Sequence, residues 1–202
     1  MLANLGKESL AALRLTLVLA VMCLIYAFVV TGVSQVIFHD QANGSLITKD
    51  GQVVGSRLIG QEFTDPRYFF GRPSATLNDA GTKPQPYNAE NSTGSNLAPS
   101  NQALIDRVKK AVDQIRKDNH LGPNDRVPVD LVTADFTGFD PDISEASALL
   151  QVNRVAAARQ LDPQRVRQLV EAQVQGPNLF VFGEAHVNVL LLNMALDGGA
   201  AG

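Results

Sequence analysis

An uncharged apolar stretch near the N-terminus restricts how this chain can fold. It runs from Leu15 to Phe38, 24 residues without Asp, Glu, Lys or Arg. A helix of about 20 residues spans a bilayer core, which is about 30 Å thick. A secretory signal peptide has a shorter apolar part, of about 7–15 residues, followed by a cleavage site with small residues. The sequence therefore favours an uncleaved transmembrane helix over residues 12–38, and a signal peptide is the weaker alternative.

The charges around this stretch predict its orientation. Lys7, Arg14 and the terminal amine precede it, whereas the first lysine behind it is Lys49. Positively charged flanks tend to stay in the cytoplasm. Residues 1–11 are therefore predicted to be cytoplasmic and residues 39–202 to be extracytoplasmic, which in a bacterium with two membranes means periplasmic.

Small side chains recur along one side of the predicted transmembrane helix. They are spaced three or four residues apart, a spacing that places them on one helix face. The set is Thr16, Ala20, Cys23, Ala27, Thr31 and Ser34. Small residues allow a second helix to approach closely in a bilayer. We interpret this face as a docking site for a partner helix; the alternative is a plain lipid anchor.

The rest of the chain has the composition of an ordinary soluble domain. Lys and Arg total 17 against 20 Asp and Glu, a net charge of −3, which gives no support to nucleic-acid binding. Cys23 is the only cysteine and lies in the apolar stretch. The soluble part therefore forms no disulfide and must be stabilised by its own hydrophobic core.

Local patterns in the soluble part predict both strands and helices. Asp50-Gly51 between short apolar runs predicts a β-hairpin over 45–60, and the Pro- and Asn-rich residues 73–101 predict a long irregular loop. The remaining predicted elements are a helix over 99–119, a strand over 127–133, helices opening at Asp140-Pro141 and Asp162-Pro163, a short strand over 180–182 and an apolar helix over 187–196. The predicted fold class is a mixed α+β soluble domain preceded by a single N-terminal transmembrane helix.

Sequence motifs of catalysis and metal binding are absent. The chain has neither the phosphate-binding loop Gly-x-x-x-x-Gly-Lys-Ser/Thr nor Gly-x-Gly-x-x-Gly, His-Glu-x-x-His or a pair of cysteines. We therefore expect no catalytic residues and no metal site. This leaves two hypotheses, a membrane-anchored accessory domain or a stand-alone anchored periplasmic binding protein or hydrolase whose loop 73–101 forms a pocket wall.

Several long sequence blocks carry a resemblance that covers nearly the whole chain. They include DPRYFFGRPSAT, YNAENSTGSNLAPSN, ALLQVNRVAAAR and VNVLLLNMALD, which begin at residues 65, 87, 148 and 187. Their order behind one N-terminal apolar stretch resembles the family of small C subunits of the bacterial Kdp high-affinity potassium-transporting P-type ATPase.

This resemblance implies an accessory role in an inner-membrane complex. The implied partners are a potassium-pore subunit, a P-type ATPase subunit that hydrolyses ATP, and a very small single-span subunit. The implied function is assembly and stabilisation of the complex, together with a catalytic-chaperone effect that raises the ATP affinity of the ATPase subunit. This chain lacks the Asp-Lys-Thr-Gly phosphorylation motif, in agreement with a role without hydrolysis.

The resemblance also implies a nucleotide-related role for Gln151, with ATP as a ligand reached through the complex. The alternative is a partly buried polar side chain of a helix, which we favour because Asp135 and Asp142 add carboxylates nearby where the family has neutral residues and a histidine. ATP is cytoplasmic, so the predicted orientation argues against direct contact. Four nearby arginines are interpreted as a solvated helical face, and the alternative is a binding site for an acidic partner: Arg154, Arg159, Arg165 and Arg167.

Overall fold

The structure, a computed structural model, describes residues 2–177, 179 and 181–199. The chain divides into two compact units, Met1–Leu46 and Ile47–Gly202. The predicted strand over 180–182 includes Phe180, which lies outside the described residues.

The first unit is dominated by one long helix, α1, which covers Leu2–Ile37. Its part Gly6–Ile37 is long and apolar enough to cross a membrane. A short helix, α2, follows at His39–Ala42. The predicted fold class, one apolar N-terminal helix followed by a mixed α+β region, is therefore confirmed. Helix α1 begins before the predicted span, and the limits of the membrane-crossing part stay a prediction.

The predicted hairpin begins at Leu46, the last residue of the first unit, and continues into the second unit. Strand β1, Leu46–Lys49, pairs with strand β2, Gln52–Ser56. The turn residues Asp50 and Gly51 both have positive φ, of 53° and 78°. A two-residue hairpin turn of this kind matches the twist of the flanking strands, and glycine adopts the second position without strain.

Residues 57–101 contain neither a helix nor a strand of two or more residues. Residues 73–101 therefore lie within a longer irregular region that begins at residue 57. Side-chain hydrogen bonds order it. The hydroxyl of Ser74 donates to the carbonyl of Gly138 at 2.6 Å, and that of Thr76 donates to the carbonyl of Gln85 at 2.6 Å.

Among the described residues from 102 to 199, the main regular elements are four α-helices and a small β-ribbon. Strand β3, Asp142–Ser144, pairs antiparallel with strand β4, His186–Asn188, with Ile143 opposite Val187. The helices are α3, Gln102–Asp118; α4, Glu145–Arg159; α5, Pro163–Gln173; and α6, Val189–Gly199.

Local capping signals explain most helix starts. The side chain of Asn101 accepts from the backbone N–H of Ala103 at the start of α3, and that of Asp162 accepts from Gln164 at the start of α5. Both are residue types that satisfy the unpaired N–H groups of a first turn. The predicted helix start at Asp162-Pro163 is confirmed.

Two predicted elements are wrong. Residues 127–133 form a 3-10 turn at Val129–Leu131 instead of a strand. Helix α4 begins at Glu145 with Ser144 as its cap, and does not begin at Asp140-Pro141. The later start of α4 has a tertiary cause. Ile143 is 2% exposed and pairs with Val187, so residues 142–144 form a strand of the core instead of a first helical turn.

The core of the second unit lies between α4, α5, α6 and the β3–β4 ribbon. It contains Val152 and Val155 of α4, Val166 and Val170 of α5 and Leu192 of α6, each 1% exposed or less. Phe69, from the irregular region, is fully buried in the same core. The irregular segment around Phe69 is therefore an integral part of the core.

Candidate functional site

The face of small residues lies on an uninterrupted helix. All six members fall within α1, so the spacing that predicts one common face holds in the structure. The hydroxyl of Thr16 donates to the carbonyl of Ala12 at 2.9 Å, which satisfies it within its own helix. Ala20 and Ala27 are exposed within their unit. The face can therefore pack closely against another helix, and its role as a docking site stays a prediction.

In the second unit, segment 65–70 is held by side chains from two helices. The amide of Gln151, on α4, accepts from the backbone N–H of Phe70 at 2.8 Å and donates to its carbonyl at 3.1 Å. The amide of Asn193, on α6, does the same for Phe69, at 2.8 Å and 3.0 Å. Two consecutive residues without a strand neighbour thus have their backbone groups satisfied by side-chain amides.

Two arginines of α4 complete this arrangement, which we call the amide–arginine clamp (Gln151, Arg154, Arg159, Asn193 and Asp197). Arg154 donates to the carbonyls of Pro66 and Tyr68, at 2.7 Å and 3.0 Å, and lies 3.9 Å above the ring of Phe70. Arg159 donates to the carbonyl of Arg67 at 2.7 Å and pairs with Asp197 at 2.6 Å.

Arg154 is a buried cation whose close partners are neutral. It is 7% exposed, and its remaining bonds are to Gln151 at 2.6 Å and Asn119 at 3.3 Å. Burial lowers the pKa of Arg154 to about 10, an effect that Asp118 partly offsets. Its planar group of donors fits several carbonyls at once. The positive charge of Arg154 is therefore stabilised by backbone carbonyl and side-chain amide dipoles and by the ring of Phe70.

The irregular loop is fixed by Tyr87. Its hydroxyl donates to the carbonyl of Arg72 at 2.7 Å, and its backbone N–H donates to Ser74 at 2.9 Å. Burial, followed by the carboxylates of Asp135 and Asp140, raises the pKa of Tyr87 well above its usual range. Tyr87 is thus a neutral hydrogen-bond donor that joins two parts of the loop.

An open cleft of about 630 Å³ lies beside the β3–β4 ribbon. Its carboxylates belong to Asp130, Asp140, Asp142 and Glu184. Arg72 pairs with Asp140 at 3.0 Å, and the ring of His186 lies 3.9 Å from Asp142. Burial raises the pKa of Asp142, and Asp140 adds to this while His186 opposes it. Within the described residues, no group of three or more His, Cys, Asp or Glu side chains is arranged to hold a metal ion.

The two serines at the start of α4 form hydrogen bonds that stabilise the fold. The hydroxyls of Ser144 and Ser147 donate to Asp130, at 3.2 Å and 2.6 Å, and the backbone N–H of Ser144 donates to it at 2.7 Å. Asp130 thus connects the 3-10 turn to the first turn of α4. The arrangement secures the start of a helix and gives no support to the hydrolase hypothesis.

A family profile described as the K+-transporting ATPase c chain matches residues 9–198. This match includes most of α1 and nearly all of the second unit. The chain belongs to this family. The resemblance inferred from the sequence blocks is therefore confirmed.

Individual relatives agree with the family over almost the whole length. A potassium-transporting ATPase KdpC subunit of Bradyrhizobium diazoefficiens is 53% identical over 201 residues, which are 96% of this chain and 98% of the relative. KdpC subunits of Rhodopseudomonas palustris and Methylobacterium nodulans are 53% and 54% identical, over 95% and 92% of this chain and 96% of each relative. Membership of this family makes the chain a subunit of a potassium-transporting ATPase, which implies an accessory role in potassium transport.

Family membership leaves the role of Gln151 a prediction, and the structure describes its surroundings. Gln151 is 1% exposed. Its N–H groups donate to Phe70 and to Ser147 at 3.2 Å, and its carbonyl accepts from Phe70 and Arg154. An amide has two donors and two acceptor sites. All of them are occupied within the second unit, which favours the interpretation as a buried polar group of a helix.

The solvated-face interpretation is wrong for two arginines. Arg154 is buried, and the side chain of Arg159 is 12% exposed and paired with Asp197. Sequence reasoning also missed Asn193 as a member of the clamp. A local sign exists, because Gln151 and Asn193 lie among apolar residues on the inward faces of α4 and α6, where polar side chains require partners.

Proposed function

We propose that this chain is a non-catalytic accessory subunit that assembles and stabilises an ATP-driven potassium-uptake complex in the bacterial inner membrane. Its partners are the potassium-pore subunit, the P-type ATPase subunit and the very small single-span subunit. The observation that carries the proposal is the family match, which extends through both the apolar helix and the second unit.

The proposed topology has the N-terminus in the cytoplasm and the second unit in the periplasm. Lys7 and Arg14 supply the positive charge of the cytoplasmic flank. The part Gly6–Ile37 of α1 has the length and apolarity of a membrane span. In this topology α1 crosses the membrane once and anchors an extracytoplasmic domain.

Under this topology the catalytic-chaperone effect on ATP affinity is indirect. The second unit and cytoplasmic ATP lie on opposite sides of the bilayer, so coupling passes through α1 and the pore subunit. The small-residue face supports such coupling because it permits close helix packing. The saturated amide of Gln151 supports it too, since no polar atom of that side chain is left for a nucleotide.

Topology and assembly are tested by one pair of experiments on the full chain with a tag after Gly202. In intact spheroplasts, external protease should remove the tag, and a cytoplasmic control protein should stay intact. In mild detergent, the tag should retain three companion membrane proteins and potassium-stimulated ATP hydrolysis. Protection of the tag would overturn the topology, and retention of no companion would overturn the accessory role.

A further inference from the structure

The most exposed apolar side chains of the second unit are not scattered over its surface. Among the described residues from Ile47 to Gly199, five large apolar side chains are more than 60% exposed: Val129, 69%; Phe136, 84%; Leu179, 80%; Val181, 76%; and Phe182, 66%. A single exposed apolar residue needs no explanation, whereas a cluster of them marks a binding surface.

These five side chains come from three segments that border the same cleft. Val129 lines the 630 Å³ cleft, and Phe136 lines a neighbouring hollow that shares Asp140 with it. Glu184, which also lines the cleft, follows Phe182 by two residues. We define the cleft face as residues 128–130, 135–142, 179 and 181–186.

The third segment of the cleft face is fixed at its base. The backbone N–H of Gln175 donates to the carbonyl of His186 at 2.8 Å, and the reverse bond measures 3.0 Å. Strand β4 then continues from His186 into the core through Val187, which is fully buried. The exposed side chains of Val181 and Phe182 therefore belong to an anchored segment, and nothing among the described residues of this unit covers them.

The charge of the cleft indicates which kind of partner surface is complementary to it. Four carboxylates line the cleft, whereas its basic side chains are Arg72, which pairs with Asp140, and His186, which lies beside Asp142. The cleft therefore has an excess of negative charge. A complementary surface carries positive charge next to apolar side chains.

Two other occupants fit this charge poorly. A second copy related by a two-fold axis would bring the same carboxylates together, and like charges across an interface cost several kcal/mol. A membrane surface rich in anionic lipid would be repelled by the same carboxylates. A different protein with basic side chains avoids both penalties.

We propose that the cleft face is the docking surface for an extracytoplasmic segment of another subunit of the complex, a segment with apolar side chains and at least one lysine or arginine. The apolar part of that segment covers Phe136, Val181 and Phe182, and its cation lies in the cleft near Glu184. This proposal rests on the accessory function proposed above and specifies the surface that performs it.

Site-specific photocrosslinking in the intact, membrane-embedded complex tests the proposal. Phe136→p-benzoylphenylalanine and Val181→p-benzoylphenylalanine should each give an adduct with one other subunit. The matched control is Val53→p-benzoylphenylalanine in β2, which is 59% exposed and outside the cleft face. We expect adduct yields at least about five times those at position 53, because interface centres exclude water and bring groups into contact.

A charge-reversal variant tests whether the partner places a cation in the cleft. Glu184→Lys should lower the adduct yield at position 136 at least about threefold at low salt. Glu171→Lys, on the exposed surface of α5, is the matched control and should leave the yield unchanged. Equal yields for both reversals would overturn the assignment of a cationic partner group.

The outcomes also distinguish this proposal from the accessory function. If the complex purifies intact but adducts at positions 136 and 181 do not exceed the control, the docking surface is wrong and the accessory function stands. Adducts only with lipid or with a second copy of the chain also overturn it. If the wild-type chain retains no companion subunits, the accessory function fails and the docking surface fails with it.

Discussion

The side chain of Gln151 forms hydrogen bonds with both backbone groups of Phe70, a residue 81 positions away in the chain. Side-chain amides have the same donor and acceptor groups as a peptide bond, so Gln151 acts in place of a neighbouring strand. Asn193 holds Phe69 in the same way, across 124 positions. An irregular segment is thereby built into the core without belonging to a sheet.

Gln151→Ala should destabilise the second unit. The change leaves the backbone N–H and carbonyl of Phe70 without partners, and unsatisfied buried groups cost about 1–3 kcal/mol each. We expect the free energy of unfolding to fall by about 2–3 kcal/mol, as measured by urea denaturation of the full chain in detergent.

The matched control for this change is Gln164→Ala, on the exposed surface of α5. It should change the free energy of unfolding by less than about 0.5 kcal/mol. Unchanged stability of Gln151→Ala together with weakened ATP binding by the complex would contradict the structural role and favour a ligand-binding one.

Gly138→Ala should destabilise the contact between loop 73–101 and the segment before β3. Gly138 has φ of +83°, and an added Cβ would collide with the methyl group of Thr76 and lie 2.8 Å from the carbonyl of Thr93. The backbone strain and the collision together should lower the unfolding free energy by about 2–3 kcal/mol, as measured by urea denaturation.

Gly81→Ala separates strain from collision. Gly81 also has positive φ, of +67°, but an added Cβ would meet nothing within 4 Å. The expected loss is about 1 kcal/mol, from the left-handed conformation alone. Equal losses at the two positions would show that the Thr76 contact adds nothing.

Asp142→Asn should stabilise the second unit, compared with the wild type, more at pH 8 than at pH 4. Burial raises the pKa of Asp142, so folding favours the protonated carboxyl and its stabilising contribution is lost as pH rises through that pKa. Asparagine stays neutral and loses nothing. The variant's advantage in unfolding free energy should therefore grow with pH, as followed by urea denaturation between pH 4 and pH 8.

Glu171→Gln is the control for this pH dependence, because Glu171 lies on the exposed surface of α5. Its stability should parallel that of the wild type across the range. A variant advantage of Asp142→Asn that shrinks with rising pH would show that the pairing with His186 outweighs burial.

Ala20→Leu combined with Ala27→Leu should weaken assembly in the membrane. Both changes add bulk to the small-residue face of α1, and close helix packing depends on small side chains. We expect retention of companion subunits in mild detergent to fall at least about tenfold, equivalent to about 1.4 kcal/mol.

Val18→Leu combined with Val29→Leu places leucine on the opposite side of α1, where it adds one methylene per site, and should leave retention unchanged. If both pairs of changes leave retention unchanged, α1 is a plain lipid anchor. In that case assembly depends on the second unit.

Features that depend on neighbouring residues were predictable. The 24 uncharged residues from Leu15 to Phe38 predict α1, and the Asp50-Gly51 pair predicts the hairpin turn. Asp162 followed by Pro163 predicts the start of α5. In each case the physical cause acts within one or two turns of chain, so the sequence pattern contains it.

Asp140-Pro141 shows where local reasoning fails. The pair has the residue types of a helix start, and the carboxylate of Asp140 does accept a local N–H, that of Asp142 at 3.0 Å. Yet residues 142–144 pair with β4, because burying Ile143 against Val187 outweighs a helical turn. The Asp-Pro signal therefore predicts a turn here, and the pairing partner lies more than 40 residues away.

The amino-acid sequence determined the long apolar N-terminal helix, the α+β class and the family, because these follow from apolar length, helix and turn chemistry and long sequence blocks. Only the tertiary structure decided that Gln151, Arg154 and Asn193 hold segment 65–70, and that three segments with exposed apolar side chains border one acidic cleft. These relationships join residues far apart in sequence, and their energies arise from burial and hydrogen bonds that exist only after the helices have packed.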